Sequence, residues 1–298
     1  MSVMRIAVIG RSGQISRALA ERASPIGVDV ITLGRPAFDL TSAPDIDAQL
    51  AELLPQAIVN AAAYTAVDLA ESHSSEAYQV NSSAAEAVAS SAAKLGIPVI
   101  HLSTDYVFDG RREASYRECD EPEPISVYGH SKLQGEQRVA AATPNHMILR
   151  TAWVYGPHGQ NFVRTMLALA TKREEIAVVD DQWGSPSNAL DIADAIFSIS
   201  REMISNPELT DLRGIFHMTG DGTTNWAEFA KAIFVISERL GGPSARVMPV
   251  TTSQFPRPAP RPANSRLDNS KMARLYGIRL PHWQDSLPKV VARILAKT

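Results

Sequence analysis

The sequence predicts an α/β fold with a doubly wound parallel sheet, followed by a smaller C-terminal region. Short runs rich in Val and Ile alternate with alanine-rich stretches of helical periodicity, and a glycine-containing turn follows the first run. Parallel strands are covered by helices on both faces, so they appear as continuous apolar runs rather than as alternating patterns. These observations together favour strands that alternate with covering helices.

The same patterns place each element. The expected strands are 5–9, 28–33, 57–60, 99–103, 147–151, 176–179 and 214–218. The expected helices are 14–23, 43–53, 75–95, 127–142, 162–170, 190–201 and 226–240. The helix 75–95 has the clearest pattern, because its apolar residues recur at helical spacing and Gly96 follows it. The stretch 249–262 holds five prolines and is expected to be a loop, since proline suits neither a helix interior nor a central strand.

Composition narrows the class of protein. The chain has 298 residues and a formal net charge of -3, with no long basic run, which argues against nucleic-acid binding. Its single cysteine, Cys119, has no partner for a disulfide, which favours a reducing, cytoplasmic environment. We see no targeting segment and no apolar run long enough to span a bilayer, so no membrane association is expected.

The turn after the first strand has the setting of a dinucleotide site. Gly10-Arg-Ser12-Gly13-Gln14-Ile15 lies between a strand and a helix, where the backbone can approach a pyrophosphate closely. An ordinary glycine turn would have the same sequence. After the second strand Arg35 stands where an acidic residue would hold the ribose of NAD, so we expect NADPH, with NADH as a second acceptable cofactor. A solvated surface arginine is the alternative for Arg35.

Residues that suit carbonyl reduction follow the third and fourth strands. The run from Asn60 through Ala62 and Ala63 is small enough for a cofactor to lie against the backbone, although tight strand–helix packing needs the same residues. The fourth strand ends at Leu102-Ser-Thr104-Asp105. Thr104 is a candidate hydrogen-bond donor to a substrate carbonyl, and a simple cap is the alternative.

The most informative pair is Tyr128 and Lys132, four residues apart in a predicted helix. This spacing puts both side chains on one helix face, where the ammonium is expected to lower the pKa of the phenol toward the working range of a proton donor. An exposed helix face is the alternative. With Thr104 upstream, the pair predicts a reductase site.

Two further stretches suggest substrate contacts. Trp153, after the fifth strand, is a candidate to stack on a sugar or base, with core packing as the alternative. Arg257 and Arg261, in the proline-rich loop, are candidates to bind a diphosphate, with solvated arginines as the alternative.

Several motifs together resemble the dTDP-4-dehydrorhamnose reductases, which are extended short-chain dehydrogenases with a Rossmann-type sheet. The motifs are Gly10-x-x-Gly13-Gln, Val59-Asn-Ala-Ala-Ala-Tyr-Thr-Ala-Val-Asp68, Ser103-Thr-Asp-Tyr-Val-Phe108, Tyr128-Gly-x-Ser-Lys132-x-x-Gly-Glu136, Arg150-Thr-x-Trp153-Val-Tyr155 and Arg261-Pro-x-Asn-Ser-Arg-Leu-Asp268. The resemblance implies NADPH-dependent reduction of the C4 ketone of dTDP-4-dehydro-L-rhamnose to dTDP-L-rhamnose, the last step toward an activated sugar for surface polysaccharide.

The resemblance also implies roles for individual residues. Tyr128 would protonate the forming alkoxide, Lys132 would lower its pKa and hold the nicotinamide ribose, and Thr104 would polarise the carbonyl. The cofactor would be lined by Gly13, Gln14, Ile15, Asp39, Leu40, Ala63, Tyr64 and Thr65, and the sugar by Thr104, Asp105 and Trp153. We therefore expect a dinucleotide-binding domain at 1–155, rejoined by about 176–213, and a mostly substrate-binding region at 156–298.

Two departures from the family pattern limit this expectation. Ser16 stands where a third glycine is usual. Some family members hold magnesium between acidic residues at a dimer interface, whereas the helix after the glycine turn has no acidic residue before Glu21. We therefore predict no metal site and leave a homodimer open.

Two other functions remain compatible with these motifs. A nucleotide-sugar epimerase or 4,6-dehydratase would share the fold and the Tyr–Lys pair, but a dehydratase characteristically has an acid where this chain has Tyr106. The regulatory subunit of methionine adenosyltransferase has the same fold and binds NADP without catalysis, so binding alone is a second alternative.

Overall fold

The computed structural model describes residues 3–40 and 46–296. The strands are β1 (Met4–Ile9), β2 (Val28–Leu33), β3 (Ala57–Asn60), β4 (Val99–Thr104), β5 (His146–Thr151), β6 (Val154–Tyr155), β7 (Glu175–Val179), β8 (Trp183–Gly184), β9 (Ser187–Asn188), β10 (Gly214–His217), β11 (Thr224–Asn225) and β12 (Arg246–Val250). The helices are α1 (Gln14–Ala23), α2 (Ile46–Glu52), α3 (Val67–Ala70), α4 (Ser74–Tyr78), α5 (Ala84–Leu95), α6 (Val127–Ala142), α7 (Phe162–Ala170), α8 (Ala189–Ser205), α9 (Trp226–Arg239), α10 (Ser270–Tyr276) and α11 (Trp283–Leu295).

Six of these strands form a parallel sheet in the order β10-β5-β4-β3-β1-β2. The chain moves from β1 outward to β2 and then returns to place β3 on the other side of β1. This reversal creates a crevice between the carboxyl ends of β1 and β3, the position at which doubly wound sheets bind ligands. The predicted fold class is confirmed.

Apolar residues cover both faces of the sheet. Along β1, Ile6 and Val8 point into one core with α1 and α8, whereas Ala7 and Ile9 point into a second core with α2, α5 and α6. All four side chains are at most 1% exposed, as expected when both faces of a strand are covered by helices. The two cores hold the strands in place from both faces, and so they position the carboxyl ends of the strands, where the site residues lie.

A separate core holds the later part of the chain together. It is formed by α7, α9, α11 and β7, with Phe229, Ile233, Leu287 and Val291 at its centre. β7 pairs with β12 rather than with the large sheet, while β10, just after the expected returning segment 176–213, completes the sheet and α8 packs against α1. The division into two domains stays a prediction.

The helix predicted at 75–95 is interrupted. The chain forms α4, then a π-helical turn over Gln79–Ser83, and then α5. Asn81 in this turn uses its side chain to accept from the Tyr64 amide at 2.8 Å and to donate to Ser131 Oγ at 2.9 Å. A Cβ on Gly135 of α6 would lie 2.0 Å from the Asn81 carbonyl oxygen, so only glycine admits this approach. The turn thus ties two parts of the site together.

Other boundaries differ in smaller ways. The predicted helix 43–53 appears as α2, and residues 43–45 of the prediction lie outside the described residues. The expectation that 249–262 is entirely loop was wrong at its start, because Pro249 belongs to β12. That strand lies in a two-stranded ribbon with β7, where an edge position tolerates a proline without an N–H. Within the described residues, no helix is long and apolar enough to cross a membrane.

Candidate active site

A cleft of about 930 Å³ runs along the carboxyl edge of the sheet. It is lined by segments that follow β1, β2, β3, β4 and β5. Most of the predicted site residues line it: Gly10, Ser12, Gly13, Gln14, Ile15, Arg35, Asp39, Leu40, Ala62, Ala63, Thr65, Leu102, Thr104, Asp105, Tyr128, Lys132 and Trp153. The structure therefore brings the candidate cofactor, catalytic and sugar residues into one continuous cavity.

Gly10 opens the crevice between β1 and β3. Its φ of +111° lies in a region that favours glycine, and a Cβ there would approach Ser16 Oγ to 2.9 Å and the Ala62 nitrogen to 3.2 Å. Ser16 is fully buried and fits at this place because Gly10 has no side chain. The substitution of serine for the usual third glycine is thus accommodated inside the turn.

The first helix presents its N-terminus to the same crevice. α1 begins after Gly13 without a side-chain cap, so its first amide groups are not satisfied by a capping side chain. Gln14 donates from Nε2 to the Val154 carbonyl at 3.1 Å, which ties the helix start to β6. Such an N-terminus is a suitable partner for a phosphate.

Three arginines line the cleft near this turn: Arg11, Arg17 and Arg35. All three are exposed. Arg11 packs on Gly34, where a Cβ would meet the Arg11 Cβ at 2.8 Å. The sequence argument found only Arg35. The arginines inside the glycine turn and in α1 were missed because their common location becomes visible only once β1 and β2 are paired.

Thr104 ends β4 and caps the turn that follows. Its Oγ1 accepts from the Tyr106 amide at 3.2 Å and donates to Asp105 Oδ1 at 2.9 Å. Thr104 is therefore the cap that the sequence allowed as an alternative, and it also lines the cleft. Since a hydroxyl has one proton, donation to Asp105 leaves only its lone pairs for other partners.

Asp105 is 3% exposed beside this threonine. Burial raises the pKa of its carboxyl to about 6, although hydrogen bonds from the Ser265 and Thr104 hydroxyls oppose the rise. An acid that titrates near neutrality in a cleft is typical of functional sites.

Tyr128 lies in the first turn of α6, which Ser126 caps by accepting from the Gly129 amide at 3.2 Å. A Cβ on Gly129 would lie 2.2 Å from the Tyr106 carbonyl oxygen, so this glycine lets the helix start close to the end of β4. The Tyr106 and Tyr128 rings meet edge to face at 5.7 Å. The close approach brings Tyr128 beside Thr104.

The electrostatics of Tyr128 differ from the expectation. Burial raises the pKa of Tyr128 to about 12, the Thr104 hydrogen bond lowers it, and the Asp105 charge raises it. The expected shift of this pKa toward the working range was therefore wrong for this structure, because burial outweighs the other influences on the phenol. The phenol is held in its protonated form.

Lys132 is 1% exposed and has other partners. Its Nζ donates to the Leu102 carbonyl at 2.6 Å and lies 3.3 Å from His101 Nε2. Burial lowers the pKa of Lys132 to about 8, against the charge of Glu136, which raises it. Its contacts with His101 and Leu102 therefore anchor the Lys132 side chain to β4.

A buried ion pair joins α6, the helix of Tyr128 and Lys132, to the large sheet. Glu136, one turn after Lys132 on α6, accepts from Arg150 Nε at 2.9 Å and from Nη2 at 2.6 Å. It also accepts from Ser103 Oγ at 2.5 Å. Glu136 and Arg150 are 2% and 1% exposed. The pair fixes α6 against β4 and β5, and no local sequence pattern pointed to it.

Trp153 is held in a stacked pair. Its φ is +47°, its Nε1 donates to Ser265 Oγ at 3.2 Å, and its ring lies parallel to Trp226 at a centroid distance of 3.5 Å. Both indoles line the cleft. Trp226 was missed in the sequence, because a long stretch of chain separates it from Trp153 and it lies at the start of α9.

Three predicted residues do not line the cleft. Tyr64 is fixed through its backbone by Asn81. Arg261 forms a two-pronged ion pair with Asp68, at 2.9 and 3.0 Å, and Arg257 lies 3.9 Å from the same carboxylate. The predicted roles of these three residues in ligand binding stay predictions.

Glu21, the acidic residue of α1, is already paired. Glu21 accepts from Arg293 at 2.7 Å and lies 2.6 Å from His158, and its hydrogen bonds and ion pairs with these groups lower its pKa to about 2. Within 3–40 and 46–296, no three His, Cys, Asp or Glu side chains form a cluster that could hold a metal ion.

Known proteins are similar to this chain over almost its whole length. The family model described as the RmlD substrate binding domain matches residues 4–296. A dTDP-4-dehydrorhamnose reductase of Sinorhizobium fredii is 50% identical over 292 residues, which cover 98% of each chain. The crystal structure of a Clostridium acetobutylicum dTDP-4-dehydrorhamnose reductase superposes with a TM-score of 0.89 at 36% identity, covering 99% of this chain and 100% of that one.

A second solved structure is that of a complex with a cofactor. The Bacillus anthracis dTDP-4-dehydrorhamnose reductase in complex with NADP has a TM-score of 0.89 at 35% identity, and the match covers 100% of both chains. Such identity over full length, with one cleft that holds most of the predicted site residues, goes beyond a shared fold. The chain belongs to the dTDP-4-dehydrorhamnose reductase family.

Proposed function

We propose that this protein is an NADPH-dependent reductase that converts the C4 ketone of dTDP-4-dehydro-L-rhamnose to the alcohol of dTDP-L-rhamnose. The observation that carries the proposal is the convergence of Thr104, Tyr128 and Lys132 at one end of a cleft whose other end is a phosphate-binding crevice. The family of the chain supports the substrate. The product would be the activated sugar for surface polysaccharide.

The residues of the crevice fit a dinucleotide. Gly10 leaves a space that a Cβ would fill, α1 offers uncapped amides, and the exposed arginines Arg11 and Arg35 suit the extra phosphate that distinguishes NADPH from NADH. When bound, the nicotinamide supplies the hydride for C4 of the sugar. NADH remains a second, weaker candidate.

Tyr128 is proposed as the proton donor. Its pKa of about 12 keeps the phenol protonated at neutral pH, so the proton is present when charge develops on the ketone oxygen. A hydrogen bond donated by the Thr104 hydroxyl to the phenol oxygen lowers this pKa, and Thr104 can donate it when its proton is not directed at Asp105. The Thr104 hydroxyl can polarise the ketone directly only after it stops donating its hydrogen bond to Asp105 and donates to the ketone oxygen instead.

The sugar would lie between the catalytic residues and the two indoles. Trp153 and Trp226 form a flat apolar wall on the same cleft, and aromatic faces pack well on sugar rings. Asp105 also lines the cleft, next to Thr104. This arrangement suits a deoxysugar, which has both apolar and hydroxyl edges.

The two rival functions are less well supported. A 4,6-dehydratase would carry an acid at the position of Tyr106, whose ring instead packs against Tyr128. A binding-only regulatory subunit would not need the buried Lys132 and its partners, because desolvating a lysine costs free energy. A reductase would use both the Tyr128 ring that packs against Tyr106 and the buried Lys132.

The decisive experiment is NADPH oxidation with dTDP-4-dehydro-L-rhamnose made enzymatically in the same tube. We expect turnover that depends on the sugar, with dTDP-L-rhamnose identified as product. Tyr128→Phe is the control, because it keeps the ring and removes the proton. Absence of turnover in the wild type, or equal turnover in the variant, would overturn the proposal.

We further propose that the enzyme acts in the cytoplasm, where NADPH is available, and that it forms a homodimer. The single exposed Cys119 supports a reducing compartment. Sedimentation of the purified protein tests the dimer, and a monomer at micromolar concentration would contradict it.

A further inference from the structure

A buried chain of side chains runs behind the cleft. His101 is fully buried in β4, and Asn60 is its direct neighbour in β3. Asn60 Nδ2 lies 3.1 Å from His101 Nδ1, and Lys132 Nζ lies 3.3 Å from His101 Nε2. Because His101 does not line the cleft, any part it plays at the site is indirect and passes through its neighbours Lys132 and Asn60.

One end of this chain is set by the backbone. The Ala62 amide donates to Asn60 Oδ1 at 3.3 Å, which directs the NH2 group of Asn60 toward His101. Nδ1 of His101 must then accept a hydrogen bond. Burial and the charge of Lys132 lower the pKa of His101 well below its usual value, so the ring is neutral and has only one N–H.

The hydrogen-bond donors and acceptors of Asn60, His101 and Lys132 restrict the protonation state of the chain. If Nδ1 accepts from Asn60, the single ring proton is on Nε2 and points at Lys132. An ammonium has three N–H groups and no lone pair, so this arrangement is consistent only with a neutral Lys132 amine. Its lone pair accepts from Nε2, and its own N–H donates to the Leu102 carbonyl.

A charged Lys132 requires the opposite pattern. Its ammonium donates to Nε2, the ring proton is then on Nδ1, and Asn60 must turn its oxygen toward Nδ1. That rotation breaks the hydrogen bond from the Ala62 amide. The change adds one proton from solvent: Nε2 passes its proton to Nζ, Nδ1 takes one up, and the imidazole stays neutral.

The Ala62 amide lies at the crevice. Its nitrogen is 3.2 Å from the place that a Cβ on Gly10 would occupy, and Ala62 lines the cleft. We propose that His101 is a positioning residue that couples the charge of Lys132 to the orientation of the Asn60 amide, and through it to the Ala62 amide in the wall of the cofactor crevice. This proposal deepens the proposed function, since it assigns a control to the same site.

Other titratable groups surround the chain. Glu136 and Tyr128 belong to the helix of Lys132, and Glu136 is neutralised by Arg150 of β5. His146 of β5 acts on His101 through its charge. Among residues 3–40 and 46–296, Lys132 alone lies within hydrogen-bond distance of Nε2, so its titration, with a pKa of about 8, is expected to set the tautomer.

The test is ¹⁵N NMR of the histidine rings in the full, cofactor-free chain, which needs no turnover and so is independent of the proposed substrate. Ring-nitrogen shifts distinguish the two neutral tautomers, and His101→Gln identifies the signals. We expect His101 to change from the Nδ1–H form to the Nε2–H form as pH rises from about 6 to about 9.5, around the titration of Lys132. A single tautomer over this range would overturn the proposal.

Two variants sharpen the result. Lys132→Met keeps a similar volume without an ionisable group and should abolish the change. In Asn60→Asp the ionised carboxylate can only accept a hydrogen bond, so His101 should keep the Nδ1–H form at every pH. A change that persists in either variant, with the fold verified by circular dichroism, would contradict the coupling.

Discussion

The two ends of the cleft have the same scaffold but very different contact with water. At the chemical end Lys132, Asp105 and Thr104 are between 1% and 6% exposed. At the dinucleotide end Arg11 and Arg35 are exposed. Desolvation shifts pKa values at the first end, whereas the charges at the second are screened and act mainly by attracting an anion.

This difference matches two different tasks. A proton donor works best where water is excluded and neighbouring groups are fixed, because the same charges act more strongly there. A cofactor that must leave after each turnover needs an accessible site of moderate affinity. We expect substitutions at the buried end to have large and indirect effects, and those at the exposed end to change affinity alone.

The largest effect is expected from the buried ion pair. Glu136→Gln leaves Arg150 charged without a charged partner, and should lower the free energy of unfolding by about 3–5 kcal/mol. The matched control is Asp194→Asn, which breaks the exposed pair with Arg22 and should cost about 0–1 kcal/mol. Urea unfolding measures both, and similar losses in the two variants would break the comparison.

The next effect concerns catalysis. Tyr128→Phe should lower kcat at least 100-fold, roughly 2.7 kcal/mol, the low end for removing a general acid. NADPH should still bind, which quenching of protein fluorescence can measure. Unchanged turnover would remove Tyr128 from the mechanism, while lost cofactor binding would mean that the two ends are not separable.

The pH dependence of the free energy of unfolding tests whether burial raises the pKa of Asp105. Its pKa of about 6 in the folded protein exceeds the ordinary value of 3.8, so its stabilising contribution is complete below pH 3.8 and is lost as pH rises through 6. The free energy of unfolding of the wild type, relative to Asp105→Asn, should therefore fall by about 2 kcal/mol between about pH 4.5 and 7. A constant difference over this range would show that Asp105 has no raised pKa.

The smallest effect is expected at the exposed end. Arg35→Ala should raise KM for NADPH about 10-fold, roughly 1.4 kcal/mol, with little change for NADH. Arg11→Ala should act in the same direction, because both arginines line that part of the cleft. Equal KM values for the two cofactors in the wild type would refute the phosphate role.

Sequence patterns predicted what depends on neighbouring residues. The bounds of α1, α6, β2 and β3 agree with the periodicity. Thr104 was found because it lies at the end of a predicted strand. Tyr128 and Lys132 were found because they lie four residues apart in a predicted helix. These features arise from local backbone preferences, from continuous apolar runs in the strands and from helical spacing of apolar residues in the helices.

Features that depend on distant contacts were not predictable. Arg261 is held by Asp68, a residue 193 positions earlier, and Trp226 by its stack on Trp153. The pKa of Tyr128 was expected to respond to Lys132, yet burial dominates it. No pattern along the chain reports how much water a folded cleft excludes.

The π-helical turn at Gln79–Ser83 has a consequence for changes in chain length. One residue advances an α-helix by about 100°, so deleting one residue here would make the helix regular and rotate α4 by that angle relative to α5. Asn81 would then leave Tyr64 and Ser131. We expect this helix to accept many substitutions but no single-residue insertion or deletion, so that related chains keep its length.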